Sequence, residues 1–185
     1  MTKRTDSSIF YTSNTAKALQ TLIIQGMQRL FVFMAVSLGA AQPLRRSRWC
    51  VWHDLEAVSY THLVFSGGYI IYDENAAKEL MAIPDELLEA HTLYSSEAAD
   101  AMARKLHEKT GCRMCAAITG VAGPDPVGDI APGMYNISVL FYGKLYSRKY
   151  NHRGRTRELN REFMAQSAFD MILRIIDGKK MTEVR

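Results

Sequence analysis

The stretch Met114–Met134 reads M-C-A-A-I-T-G-V-A-G-P-D-P-V-G-D-I-A-P-G-M, and the fold is decided there. Its first part, Cys115 to Ile118, is a short apolar run with the length and bounds of a buried strand. The run stops at Thr119-Gly120 and passes into a loop holding Gly120, Gly123, Gly128 and Gly133 with three prolines. Glycines let a ligand approach the backbone closely, and prolines stiffen the path between them. A strand ending this way is expected to leave unpaired N–H groups and the Thr119 hydroxyl at the sheet's edge, where α/β proteins bind phosphates and other anions. The same composition also suits a long surface loop of turn residues, so the flanking sequence has to weigh on the choice.

Upstream, Ser95-Ser96-Glu97 opens a helix with the apolar face Ala98, Ala99, Met102, Ala103 and Leu106. Acids stand in its first turn, Lys105 and Lys109 in its last, and Gly111 ends it. Downstream, Tyr135, Ile137, Val139 and Phe141 alternate with Asn136, Ser138 and Leu140, which predicts a strand with one wetter face. Gly143-Lys144 is expected to form a two-residue hairpin turn with glycine at its first central position, returning through Leu145 to Tyr150. Leu159, Phe163, Ala168, Met171, Ile172 and Ile175 then line a long amphipathic helix.

Farther out, Leu63 to Tyr72 has strand character broken by Gly67-Gly68. Glu74 to Ile83 reads as a short helix ended by Pro84, and Pro84-Asp85-Glu86 opens another turn through Leu88. Leu30 to Val36 is continuously apolar, as a strand covered on both faces would be, with Ser37 at its carboxyl end. A helix is expected from Thr15 to Met27, capped by Ser13 or Asn14. Residues 42–54 mix three arginines with two tryptophans and show no clean period. Helices alternating with strands, plus one hairpin, predict an α/β protein: a three-layer α/β/α sandwich with a mixed sheet. The expected organisation is a flexible segment over 1–12, a single domain over 13–178 and a tail over 179–185.

With 185 residues, 48% hydrophobic and 23% charged, the chain suits one globular domain with a sizeable core. The net charge of +4 is mild, and no helix-turn-helix, zinc-finger or aromatic RNA-binding pattern accompanies it, so no nucleic-acid partner is expected. The longest apolar run, Leu30 to Ala41, is too short to cross a bilayer, and Met1 to Asp6 does not read as a signal peptide. Neither a membrane partner nor a cofactor is expected. Cys50, Cys112 and Cys115 are an odd set that fits a reducing cytoplasm, and C-R-M-C lacks the second pair that would complete a zinc site.

Four segments together resemble the CinA C-terminal domain family, whose active members are nicotinamide mononucleotide deamidases. They are L-E-A-V-S-Y-T-H-L-V-F-S-G-G-Y-I-I-Y, I-P-D-E-L-L-E-A-H-T-L-Y-S-S-E, A-A-I-T-G-V-A-G-P and P-G-M-Y-N-I-S, which run from Leu55 to Ser138, and the resemblance as a whole reaches from about Leu55 to Ile176. The resemblance implies a cytoplasmic homo-oligomer that binds a small pyridine nucleotide and releases ammonia from its amide. In that family a serine in a motif like A-E-S-C-T-G-G and a lysine in one like Y-S-N-E-A-K act as nucleophile and base. A serine hydroxyl attacks only once a neighbour takes its proton, and lysine can do so only when its pKa is lowered enough to leave it neutral. Backbone N–H groups then stabilise the oxyanion formed at the attacked carbonyl.

Both motifs are altered here. The first reads A-V-S-L-G-A-A, so Ser37 matches the serine while the glutamate and glycine pair are missing. The second reads Y-D-E-N-A-A-K: Tyr72 matches, Ala77 stands where the family has lysine, and Lys78 is one residue later. One step on a helix rotates a side chain by about 100°. The segment between Ser37 and Leu55 is also about eight residues longer than the motif spacing implies. The resemblance therefore names Ser37, Tyr72 and Lys78 as catalytic candidates and Thr119, Gly120 and Gly123 of the ligand loop as substrate-binding candidates, to which the basic turn before the last helix adds Arg157. Ser37 also reads as a small residue ending a strand. His91 matches a family histidine but suits a backbone hydrogen bond equally, and His152, Arg153, Arg155 and Arg157 suit either a phosphate or a solvated basic turn. His53 and His62 lack metal-ligand spacing. The expected site is a concave one at the carboxyl ends of the strands, built from Ser37, Tyr72, Thr119, Gly120 and the loop to Gly133.

Overall fold

The computed structural model describes residues 30–32, 65–71, 73–152 and 154–179. Its elements are β1 (Leu30–Val32), β2 (Phe65–Gly67), α1 (Glu74–Met81), α2 (Asp85–His91), α3 (Ser96–Thr110), β3 (Met114–Gly120), β4 (Met134–Phe141), β5 (Lys144–Asn151) and α4 (Arg157–Ile176). The strands form one sheet in the order β2-β1-β3-β4-β5. β1 runs parallel to both β2 and β3, whereas β3, β4 and β5 are successively antiparallel, so the sheet is mixed. The expected helix from Thr15 to Met27, the stretch 42–54, Ser37, His53, His62, Tyr72 and Arg153 lie outside the described residues.

β3 occupies the middle of the sheet and all seven of its residues are buried, which accounts for its unbroken apolar run. Side chains alternate between the two faces of a strand. Met114, Ala116 and Ile118, with Tyr135, Ile137 and Val139 of β4, pack on Met164, Ala168, Met171, Ile172 and Ile175 of α4. Cys115, Ala117 and Leu140 point the other way, into Met102, Ala103 and Leu106 of α3 and Ala77, Met81 and Leu88 of α1 and α2. Helices cover both faces, and the architecture is the three-layer α/β/α sandwich. Each large apolar side chain buried this way contributes about 1.5–3 kcal/mol. Among the described residues, no helix is long and apolar enough to cross a membrane.

Helix boundaries follow local chemistry. Asp73 caps α1 by accepting from the Ala76 N–H at 2.8 Å, Ser95 caps α3 through the Ala98 N–H at 3.0 Å, and Thr156 caps α4 through the Leu159 N–H. α2 continues to His91, a turn beyond Leu88, and α1 stops at Met81, with Ala82 at a φ of 51°.

Two local expectations change. The wetter face of β4 is dry: Asn136 is 6% exposed and Ser138 fully buried, because α3 lies over both. In the hairpin, Phe141 pairs with Lys144, so the turn is Tyr142-Gly143 and glycine takes the second central position. Both residues have positive φ, 48° and 78°, as the turn that matches strand twist requires. Tyr142 holds this conformation with its ring against Phe141, centroids 4.8 Å apart, and Arg113 at 5.8 Å on its face.

Candidate functional site

β2, β1 and β3 share one direction, and Val32 stands opposite Ala116, so their carboxyl ends lie on one side of the sheet. Two helix N-termini arrive at the same side. The Thr119 hydroxyl donates to the Ser95 carbonyl at 3.2 Å, placing the start of α3 there, and the Asn160 Nδ2 donates to the Ala122 carbonyl at 2.9 Å, placing the start of α4 there. A helix N-terminus carries unsatisfied N–H groups and a partial positive charge, so this end of the sheet favours an anionic ligand.

The loop Val121–Gly133 is tied at its base and at its tip. Val121 N–H donates to the Met134 carbonyl at 3.0 Å, and Gly133 N–H returns to the Val121 carbonyl at 2.8 Å. Val127 and Ile130 exchange hydrogen bonds of 3.1 and 3.0 Å across the tip. From below, the Arg157 guanidinium donates to the Gly123 carbonyl and His152 N–H to the Gly133 carbonyl at 2.8 Å. The Gly123-Pro124 peptide is cis. Val121 to Gly123 are buried, while Pro124, Asp125 and Pro126 are exposed.

Groups expected to be unpaired are thus engaged within the chain. Thr119 is 1% exposed with its hydroxyl on Ser95, and the first loop N–H is spent on β4. Gly120 is required by crowding: a Cβ there would stand 2.4 Å from the Tyr135 Cβ and 2.7 Å from the Met134 carbonyl oxygen. Gly123 is similarly close to Pro132, at 2.9 Å. Thr119 and Gly120 are therefore explained by packing between β3, β4 and α3 without any ligand.

Lys78 pairs with Asp85, Nζ to Oδ1 at 2.6 Å, and both side chains are substantially exposed. The Asp85 hydrogen bond, against a small desolvation, holds the Lys78 ammonium above its ordinary pKa. In this geometry it is a protonated surface cation, the opposite of what a general base needs. Ala77, one residue earlier, is fully buried among Ile71, Met81, Ile83 and Leu88. The α1 face that turns inward thus carries a methyl group at position 77.

The basic turn before α4 is built into an aromatic stack. Arg155 lies 3.7 Å from the Phe163 centroid; Phe163 stacks on His152 at 5.3 Å, His152 on Tyr135 at 5.6 Å, and Tyr135 on Tyr150 at 4.9 Å, with Arg148 beyond at 5.4 Å. Burial, then Arg155, hold His152 below its ordinary pKa. Burial raises Tyr135 strongly, and its hydroxyl meets the Ser167 Oγ at 2.8 Å. His91 ends α2, exposed. Among the described residues no group of three His, Cys, Asp or Glu side chains is placed to hold a metal ion.

Three polar features escaped the sequence reading. Asn160 sits on the buried face of α4, and its signal was legible: an amide at the head of the four-residue series Met164, Ala168 and Ile172. Asn136 Nδ2 donates to the Tyr94 carbonyl at 2.7 Å beside Thr119, its register partner. Ser138 and Ser147 both donate to Asp100 Oδ1, which fastens β4 and β5 to α3. Alternation with apolar residues made Asn136 and Ser138 look solvated.

Relatives agree with this architecture. A CinA-like protein of Solibacter usitatus is 34% identical over 120 residues, 64% of this chain and 28% of that protein. A protein of Bacillus velezensis described as competence-damage inducible is 28% identical over 145 residues, 78% of this chain and 34% of that one. The chain thus spans about a third or less of the length of these curated relatives. Among solved structures, the CinA superfamily protein of Enterobacter cloacae superposes with a TM-score of 0.76 at 17% identity, covering 90% of this chain and 92% of that one. The corresponding Escherichia coli protein gives 0.74 at 19%, covering 95% and 94%. At such identities the likeness concerns the fold. The sequence profile of the CinA C-terminal domain matches residues 51–176, more than half of the chain, and the chain belongs to that family.

Proposed function

We propose that the chain is a CinA-type nicotinamide-nucleotide amidohydrolase domain whose hydrolytic step is impaired or lost. The observation that carries this reading is Ala77: the inward face of α1 offers a methyl group where the resembling motif has a lysine, and the neighbouring Lys78 is held protonated by Asp85. In the intact reaction the Ser37 oxygen would attack the nicotinamide carboxamide carbon while its proton passes to a base. The tetrahedral intermediate would expel ammonia, and water would then cleave the acyl-enzyme to the pyridine carboxylate. Without the lysine of that motif, the first transfer would slow by a factor on the order of 10²–10⁴.

Recognition of the nucleotide draws on different groups. The positive ends of α3 and α4 suit a ribose phosphate, and Arg157 retains donors beyond the one given to Gly123. A non-catalytic homo-oligomeric module that still binds a pyridine nucleotide is the second reading, favoured by the same Lys78–Asp85 pair. Calorimetric titration with nicotinamide mononucleotide, run beside an ammonia assay, separates the two. Binding with weak, Ser37-dependent ammonia release supports the impaired enzyme; binding without any supports the module. Absence of binding would reject both.

A further inference from the structure

Asn160 is fully buried in the first turn of α4, yet it belongs to no helix cap and no ion pair. Its Nδ2 donates to the Ala122 carbonyl at 2.9 Å and reaches the Arg155 carbonyl at 3.5 Å. Among the described residues its buried Oδ1 has no hydrogen-bond partner. The same Oδ1 stands 3.1 Å from where a Cβ on Gly133 would be, and that Cβ would also meet the His152 carbonyl oxygen at 2.4 Å. One amide thus bonds the beginning of the loop at Ala122 and the segment that leads into α4, and it lies where any side chain on Gly133, at the loop's end, would be crowded.

A buried amide with an idle oxygen costs stability, and a leucine of similar volume would avoid that cost. What the amide provides is a fixed distance. Residues three apart on a helix share a face, and Arg157 and Asn160 use that spacing to hold two consecutive carbonyls, Gly123 and Ala122. We propose that Asn160 is a positioning residue for the loop Val121–Gly133, fixing it against the start of α4 so that loop and Arg157 together present one cradle to an anionic nucleotide monophosphate. The ligand half of this inference rests on the nucleotide reading above; the positioning half does not.

The experiment uses the full chain carrying Asn160→Leu, with Asn160→Ser as the variant that adds no bulk. Amide hydrogen exchange should accelerate about tenfold at Val121, Gly133 and Ile130, while Ile137 and Val139 of β4 keep their protection. The dissociation constant for nicotinamide mononucleotide should rise about tenfold in the same variants. Unchanged loop exchange, or a common acceleration at loop and β4 alike, would overturn the positioning role. A loosened loop with unchanged nucleotide affinity would overturn the cradle. If the unaltered chain binds no nucleotide, the nucleotide reading and the cradle fall together, and the exchange pattern still decides whether Asn160 positions the loop.

Discussion

Gly120→Ala separates two reasons for a glycine at the end of β3. If the residue is glycine so that a ligand can approach, a methyl group should cost binding and little stability. The structure gives the other reason. The new Cβ would sit 2.4 Å from the Tyr135 Cβ and 2.7 Å from both the Tyr135 Cα and the Met134 oxygen. Relief needs β4 to move by about 1 Å to reach ordinary van der Waals contact. β4 is poorly able to yield, because it is paired on both sides and Tyr135 is stacked on Tyr150 and bonded to Ser167. Overpacking of this kind costs about 1–3 kcal/mol, which in a chain of this length lowers the melting temperature by about 2–12 °C. Gly128→Ala is the control: nothing lies within 4 Å of its Cβ position, so it bears only the strain of its φ of 55°. Thermal unfolding followed by circular dichroism reads both. Gly120→Ala melting no lower than Gly128→Ala would refute the crowding argument and return Gly120 to the ligand.

The cysteines give a second test: burial pushes the Cys115 thiol up to about 12, and Cys112 and Cys115 are 2% and 0% exposed. In the native chain at about pH 8 iodoacetamide should leave both unmodified, and peptide masses should show labelling only after denaturation; prompt native labelling would contradict their burial. His152 is held below its ordinary value of 6.5, so below that value the folded chain binds fewer protons than the unfolded one. Its stabilising contribution is full above the ordinary value and is lost as pH falls toward and through the folded one, so the urea midpoint should decline between about pH 7 and pH 5 and His152→Phe should flatten the decline. Ala77→Lys places an amine in an apolar setting that lowers its pKa, as a base requires, and should raise ammonia release from nicotinamide mononucleotide in a Ser37-dependent way. No gain in a folded variant would move the defect to the rewritten stretch after Ser37.

Much of this fold could be read from spacing, and several elements had a one-residue signature at an end. Ser95 and Gly111 bounded α3, and the unbroken run Cys115–Ile118 foretold a buried strand. One misreading arose because a short pattern does not reveal what lies over it. Asn136 and Ser138 looked solvated because polar and apolar residues alternate, yet α3 lies over both, and they donate to the Tyr94 carbonyl just before it and to Asp100 within it. Glycine in the hairpin was displaced by one position because either central residue can carry it, and register settled the matter through the Phe141–Lys144 pair. For the candidate site, motif position indicated Thr119 and Gly120, and the basic turn indicated Arg157, but not that Ser95, β4 and Gly123 engage them. Such partners lie 24 and 34 residues away for Thr119 and Arg157, beyond any local pattern.

Persistence of the nucleotide site without an effective base is tested most directly by ammonia release from nicotinamide mononucleotide by the unaltered chain, measured beside Ser37→Ala at equal concentration. The two rates should stay close, with any excess in the unaltered chain reduced by the order of 10²–10⁴ that a missing base implies relative to a family member with lysine in place. Rapid release by the unaltered chain, abolished by Ser37→Ala and by Lys78→Ala alike, would contradict it and would mean that Lys78 leaves Asp85 to serve as the base.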